Sequence, residues 1–221
     1  MNELIEITAK DNHCFSAYIS QPSGKPKAGI VIIQEIFGVN SHIKEVTDLY
    51  ASKGYLCIAP SLFDRIEKNV TLNYDEHGIS KGRNLKELCD KDALKDIEAS
   101  ISVVSSAGKV AVIGYCWGGS LSWWIGCEAS NLSASICYYG GDIPKLKDLE
   151  PKCKVLTHFG ELDKGIPIND VKIFEETQPD VLTYTYPADH GFNCDHRSQY
   201  NKTCANIAHQ RTLKFLEQNL T

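Results

Sequence analysis

Three side chains in the second half of the chain have the types and order needed for nucleophilic chemistry. Cys116 sits in Gly114-Tyr-Cys-Trp-Gly118, a spacing in which the turn from strand to helix is too sharp for a Cβ on either side of the nucleophile. Such a turn thrusts the thiol above a sheet at the first turn of the following helix. There the helix dipole and its free N–H groups favour a thiolate. The same N–H groups, beginning with that of Trp117, can hold an oxyanion. The bland alternative is a glycine-rich turn around an inert buried cysteine. A nucleophile also needs a base, and the base an orienting group. Asp163 follows the run CKVLTHFG within Gly160-Glu-Leu-Asp163, and His190 follows VLTYTYP within Ala188-Asp-His190-Gly191. Glu161 and Asp170 compete for the acid's place. Asp163 is preferred because its spacing keeps it within one turn of the strand end.

The elements that must position these residues alternate along most of the chain. LIEIT and CFSAYIS alternate as peripheral or antiparallel strands, and QPSGKPKAG is turn-rich. AGIVIIQE reads as a strand buried on both faces. Asn40 or Ser41 can cap a helix with Ile43, Val46, Leu49 and Tyr50 at helical spacing, and Gly54 stops it. YLCIAP is a strand, residues 64 to 84 are irregular and polar, and a helix then carries Leu94, Ile97, Ile101 and Val104. KVAVIG, SASICYYG, CKVLTHFG and VLTYTYP are further strands. WGGSLSWWIGC, Asn169 to Thr177 and a segment ending near Gln218 are helices. Alternation of this kind predicts a mainly parallel sheet with helices on both faces, and ligands gather at the carboxyl ends of such strands. The order nucleophile, acid, histidine is that of α/β-hydrolases.

The totals fit that reading. The chain has 221 residues, 43% hydrophobic, and a net charge of -5, with no linker or repeat, so residues 1–221 are read as one domain. Mild acidity without a basic surface argues against nucleic acid or an anionic membrane as partner. No apolar run approaches the ~20 residues of a membrane helix, and the start resembles no targeting peptide. Nine cysteines, odd in number and set in apolar runs, suit reduced core residues in a cytoplasmic protein better than a disulfide framework.

The chain resembles the dienelactone hydrolase (carboxymethylenebutenolidase) family of the α/β-hydrolase fold over nearly its whole length. The stretches that carry the resemblance are QEIFGVN (34–40), VIGYCWGG (112–119), CYYGG (137–141), GELDKGIP (160–167) and ADHGFNCD (188–195). It implies a Cys116, His190, Asp163 triad, a thioester acyl-enzyme and a fourth residue, Glu35. In the family the resting thiol hydrogen-bonds to that glutamate, and substrate displaces the carboxylate so that the cysteine ionises against the histidine. The bland alternative is a Glu35 that merely faces the next helix's N-terminus. The resemblance also implies oxyanion donors at the N–H groups of Ile36 and Trp117, substrate contacts from Phe37 and Trp117, no cofactor and no metal. Trp117 should narrow the pocket mouth, and Trp123 and Trp124 should be core. The partner implied is a small lactone or ester, and a monomer is favoured over an oligomer.

The chain departs from the family where substrate charge is read. An arginine belongs four residues beyond the histidine, and Cys194 stands there. Arg83 and Arg197 are the candidate replacements, each balanced by a solvated surface role, and weak discrimination for anionic lactones follows. Three rival functions remain: a general small-ester carboxylesterase, a redox-responsive thiol protein, and metal binding by His190, Cys194, His196, Cys204 and His209. The spacings of that last group match no common zinc pattern.

Overall fold

The structure, a computed structural model, describes residues 2–220. Eight strands form one sheet in the order β1-β2-β4-β3-β5-β6-β7-β8. They are β1 (Asn2–Thr8), β2 (Cys14–Ser20), β3 (Gly29–Ile33), β4 (Leu56–Pro60), β5 (Val110–Tyr115), β6 (Ala134–Tyr138), β7 (Lys154–Gly160) and β8 (Leu182–Tyr186). β1 pairs antiparallel with β2, and β2 antiparallel with β4. Every other neighbouring pair is parallel. Each strand read from the sequence lies where its β-forming run places it.

Among the described residues five α-helices cover the sheet: α1 (Ser41–Ser52), α2 (Glu76–Val104), α3 (Trp117–Glu128), α4 (Ile168–Thr177) and α5 (Lys202–Leu220). β3 is buried throughout, as a strand with helices on both faces must be. Its alternate side chains divide between two cores. Ile30 and Ile32 meet Ile43, Val46 and Tyr50 of α1 and Ala208 and Phe215 of α5. Val31 and Ile33 meet Ile97, Ile101 and Val104 of α2 and Leu121 of α3. Asn40 caps α1, its side chain accepting from the N–H of Ile43. Gly54 follows the helix with φ +100°, a conformation that costs other residues strain. Leu49, expected on the buried face of α1, is instead 42% exposed. It lies at the edge of the stripe, where 3.6-residue periodicity fixes the face but not its width.

α2 corrects the largest misreading. It begins at Glu76, well inside the stretch expected to be irregular, and Asp75 caps it through the N–H of Gly78 (2.7 Å). Arg83 therefore stands on a helix. Gly78 and Gly82 lower helix propensity in these first turns and hide the pattern. Close approach explains Gly82, since a Cβ there would lie 2.0 Å from the carbonyl oxygen of Ile36. Gly82→Ala is thus a contest between two effects. Propensity favours alanine by about 1 kcal/mol, whereas overpacking against fixed backbone costs roughly 1–3 kcal/mol. The obstacle is a backbone oxygen, so the variant should lose stability in urea melts. A gain would contradict the packing argument.

β3 is also where the strand order turns. The chain passes from β3 through α1 to β4 on one side, and β5 then pairs on the other, with Ile33 opposite Gly114. Ligands lodge at the carboxyl ends of strands beside such a switch. Among the described helices none is long and apolar enough to cross a membrane.

Candidate active site

The loops leaving β3, β5, β7 and β8 converge beside that switch. Cys116 follows β5 immediately and precedes α3, with φ +56°. That is an uncommon conformation for a residue with a Cβ and a mark of stored strain. The two flanking glycines make the corner possible. A Cβ on Gly114 would fall 1.9 Å from the carbonyl oxygen of Gly118, and one on Gly118 would fall 2.3 Å from that of Ile33. Trp117 is the first residue of α3, so its N–H is one of the donors left free by helix geometry. Its indole is buried, stacks on Phe63 (5.4 Å between ring centroids) and donates to Asp90 (2.6 Å). Its side chain walls the cavity. Trp123 is core, packed on Phe174, while Trp124 is only partly buried and donates to Glu128.

His190 and Asp163 meet across two loops. Nδ1 of His190 donates to Oδ2 of Asp163 at 2.6 Å, and Oδ1 of Asp163 accepts from the N–H of Gly165 at 2.8 Å. Asp163 is buried, while Glu161 and Asp170 are exposed, Glu161 accepting from Thr185. Of the three acids, Asp163 is the one that meets His190. Tyr139 packs its ring on the imidazole (5.1 Å). Burial alone would lower the His190 pKa. Together the charge interaction with Cys116 and the hydrogen bond to Asp163 overcome burial, the largest single influence, and the net result is a rise to about 10.

Glu35, two residues past β3, is fully buried. Tyr74 donates to its Oε2 (2.9 Å) and Nη1 of Arg197 to its Oε1 (3.2 Å). Arg197 lies over the rings of Phe37 and Tyr74 (5.8 and 5.6 Å). Its guanidinium also touches Gly191, where a Cβ would come within 2.7 Å of Nη1. Tyr74 was missed in the sequence because the stretch around it has no periodicity. Only the cap at Asp75 signals that the chain turns there.

Cys116, His190, Ile36, Phe37, Trp117 and Arg83 all line one cavity of about 400 Å³, with Arg197, Lys86 and Lys145 also on its wall. Every residue singled out for chemistry or substrate contact, except Asp163 and Glu35 just behind it, borders this space. Lys86 and Lys145 are paired with Asp142 (2.7 and 3.0 Å). A larger cleft of about 830 Å³ lies at the amino ends of β6 and β7, beside Cys153 and Gln178. Neither Cys116 nor His190 lines it. The five residues of the rival metal reading separate: His190 joins Asp163, while His209 packs on Tyr50. The nine cysteines are all free thiols.

Comparison with known proteins agrees over almost the whole chain. Residues 15–220 match the model of the dienelactone hydrolase family. A candidate carboxymethylenebutenolidase of Synechocystis sp. is 33% identical, over 93% of this chain and 92% of its own. The carboxymethylenebutenolidase of Pseudomonas putida is 31% identical, over 98% and 96%. The crystal structure of a candidate dienelactone hydrolase from Klebsiella pneumoniae superposes with a TM-score of 0.82 at 25% identity, covering 99% of both chains.

Proposed function

The chain belongs to the dienelactone hydrolase family, hydrolases of ester bonds on the α/β-hydrolase fold, and from that premise we propose a Cys116-dependent hydrolase of small lactones and esters. The observation that carries the reading is His190, held by Asp163 at 2.6 Å and lining the same cavity of about 400 Å³ as Cys116.

In this reading the Cys116 sulfur attacks the carbonyl carbon and the oxygen takes the electron pair. The N–H groups of Ile36 and Trp117 stabilise that oxyanion, an effect worth ~3–4 kcal/mol per donor in comparable sites. Collapse breaks the C–O bond, and the His190 imidazolium gives its proton to the leaving oxygen, leaving a thioester. His190 then takes a proton from water, the water oxygen attacks the thioester, and the Cys116 thiolate departs. Glu35 governs the thiol. Its bonds to Tyr74 and Arg197 support a carboxylate held away from Cys116, the arrangement in which the cysteine is left to His190. The whole chain, 1–221, acts as one catalytic domain and needs no cofactor.

The cationic wall supports acceptance of a carboxylate-bearing lactone, with Arg83 lining the cavity although Cys194 stands where the family has an arginine. Arg83 has no ion-pair partner among the described residues, whereas Arg197 is engaged by Glu35. A charge-assisted hydrogen bond is worth about 1.5–3 kcal/mol, and the exposure of Arg83 places it at the low end. Arg83→Ala should therefore raise KM for an anionic lactone about tenfold and leave a neutral aryl ester nearly unchanged. Equal effects on both substrates would remove Arg83 from carboxylate recognition.

A further inference from the structure

Glu35 also faces two buried residues, His42 and Cys194, that the hydrolytic chemistry does not use. His42, in the first turn of α1, and Cys194, on the loop after β8, are both buried, at 2% and 0% exposure. One ligand atom from each of Glu35, His42 and Cys194 lies within 4.8 Å of the others. Nδ1 of His42 is 3.5 Å from Oδ1 of Asp195. Its Nε2 is buried with no hydrogen-bond partner. A buried polar atom left so costs about 1–3 kcal/mol, and such atoms call for an explanation. A histidine whose one nitrogen faces a carboxylate while the other is unpartnered has the arrangement of a metal ligand oriented by an acid.

We propose that Glu35, His42 and Cys194 form a binding site for one divalent transition-metal ion of the zinc type. The donor set decides the class. A thiolate, an imidazole and a carboxylate oxygen suit zinc or cobalt, whereas magnesium and calcium take oxygen ligands. Zinc bonds of roughly 2.0–2.3 Å require the three donor atoms to close up from their present spacing when the ion enters. Binding breaks the Cys194 S–H bond, releases the proton to solvent and forms the sulfur–metal bond, with no change of oxidation state. The thiolate, Glu35 and Asp195 then supply three negative charges, which Arg197 and the dication balance. A cavity of about 370 Å³ beside α1 and α5, lined by His42, Glu45, Asp195 and His209, gives access. Asp195, on its wall, and the exposed His196 form a second, outer trio with His42. The sequence pattern around Cys194 matches no zinc motif because this ligand set is completed by residues from α1 and from the end of β3.

The site contains neither Cys116 nor His190, so its test reads no turnover. Cys116→Ala protein, which lacks the partly exposed thiol of the neighbouring cavity, is titrated with Co²⁺ near neutral pH. One equivalent should produce a thiolate-to-cobalt charge-transfer band, and Zn²⁺ should displace it. Cys194→Ser in the same background should abolish the band, His42→Gln should weaken cobalt binding by more than about tenfold, and Cys204→Ser should leave it intact. Circular dichroism verifies each fold, and either ligand variant alone suffices if the other does not fold. A band that persists without Cys194, affinity unchanged in His42→Gln, or no cobalt uptake at stoichiometric concentration would each overturn the site.

Discussion

Replacing Cys116 by alanine is expected to lower turnover of a p-nitrophenyl ester by three orders of magnitude or more while the protein stays folded. The covalent route needs a nucleophile at this corner, and alanine offers none. Losses when a triad member is removed run on the order of 10³- to 10⁶-fold. The variant should fold because alanine keeps the Cβ. The backbone at φ +56° therefore carries the same strain, and only a partly exposed sulfur is lost. Circular dichroism and thermal melting check this. Activity within tenfold of wild type would show that Cys116 is not the nucleophile.

His190→Ala should be nearly as damaging, about 10³-fold, and should reshape the pH profile as well. The sign follows from the direction of its shift. A histidine whose pKa is raised to about 10, where the Cys116 charge and the Asp163 hydrogen bond overcome burial, keeps its proton through neutral pH and gives it up as pH rises through that value. In the wild type, kcat/KM should rise as the coupled pair sheds its inhibitory proton and hold through mildly alkaline pH. It should then fall near pH 10, where the general acid is lost; both limbs belong to the pair. In His190→Ala the alkaline fall should vanish. Asp163→Asn should cost less than either, because Tyr139 also packs on the imidazole. An unchanged alkaline limb in His190→Ala would assign that proton elsewhere.

Much of this site was legible because its geometry is local. Gly114, Cys116 and Gly118 specify a corner that needs no distant residue to be recognised, and Asp163 and His190 each sit a few residues past a strand whose apolar run is plain. The sheet is equally readable, since strands buried on both faces leave uninterrupted apolar stretches. What stayed hidden depends on contacts between distant segments. The first turns of α2 look irregular because Gly78 and Gly82 are chosen for their neighbours, the carbonyls of Asn73 and Ile36, and not for helix propensity. Arg197 reaches Glu35 from a loop without periodicity. His42 occupies a helical position whose pattern says only that it faces inward, and nothing near it in the chain announces Cys194. Trp124 and Leu49 show the same limit in milder form, as one side of a buried stripe shades into solvent.

The central claim is that acyl transfer passes through the sulfur of Cys116. Its most direct test is intact-protein and peptide mass spectrometry of wild-type enzyme, acid-quenched while turning over an aryl ester with a slowly hydrolysed acyl group. The acyl mass should appear on the peptide containing Cys116, should be released by hydroxylamine as a thioester is, and should be absent from Cys116→Ala. Acylation of a different side chain during turnover, or an adduct on Cys116 that forms but does not decay as product appears, would contradict it.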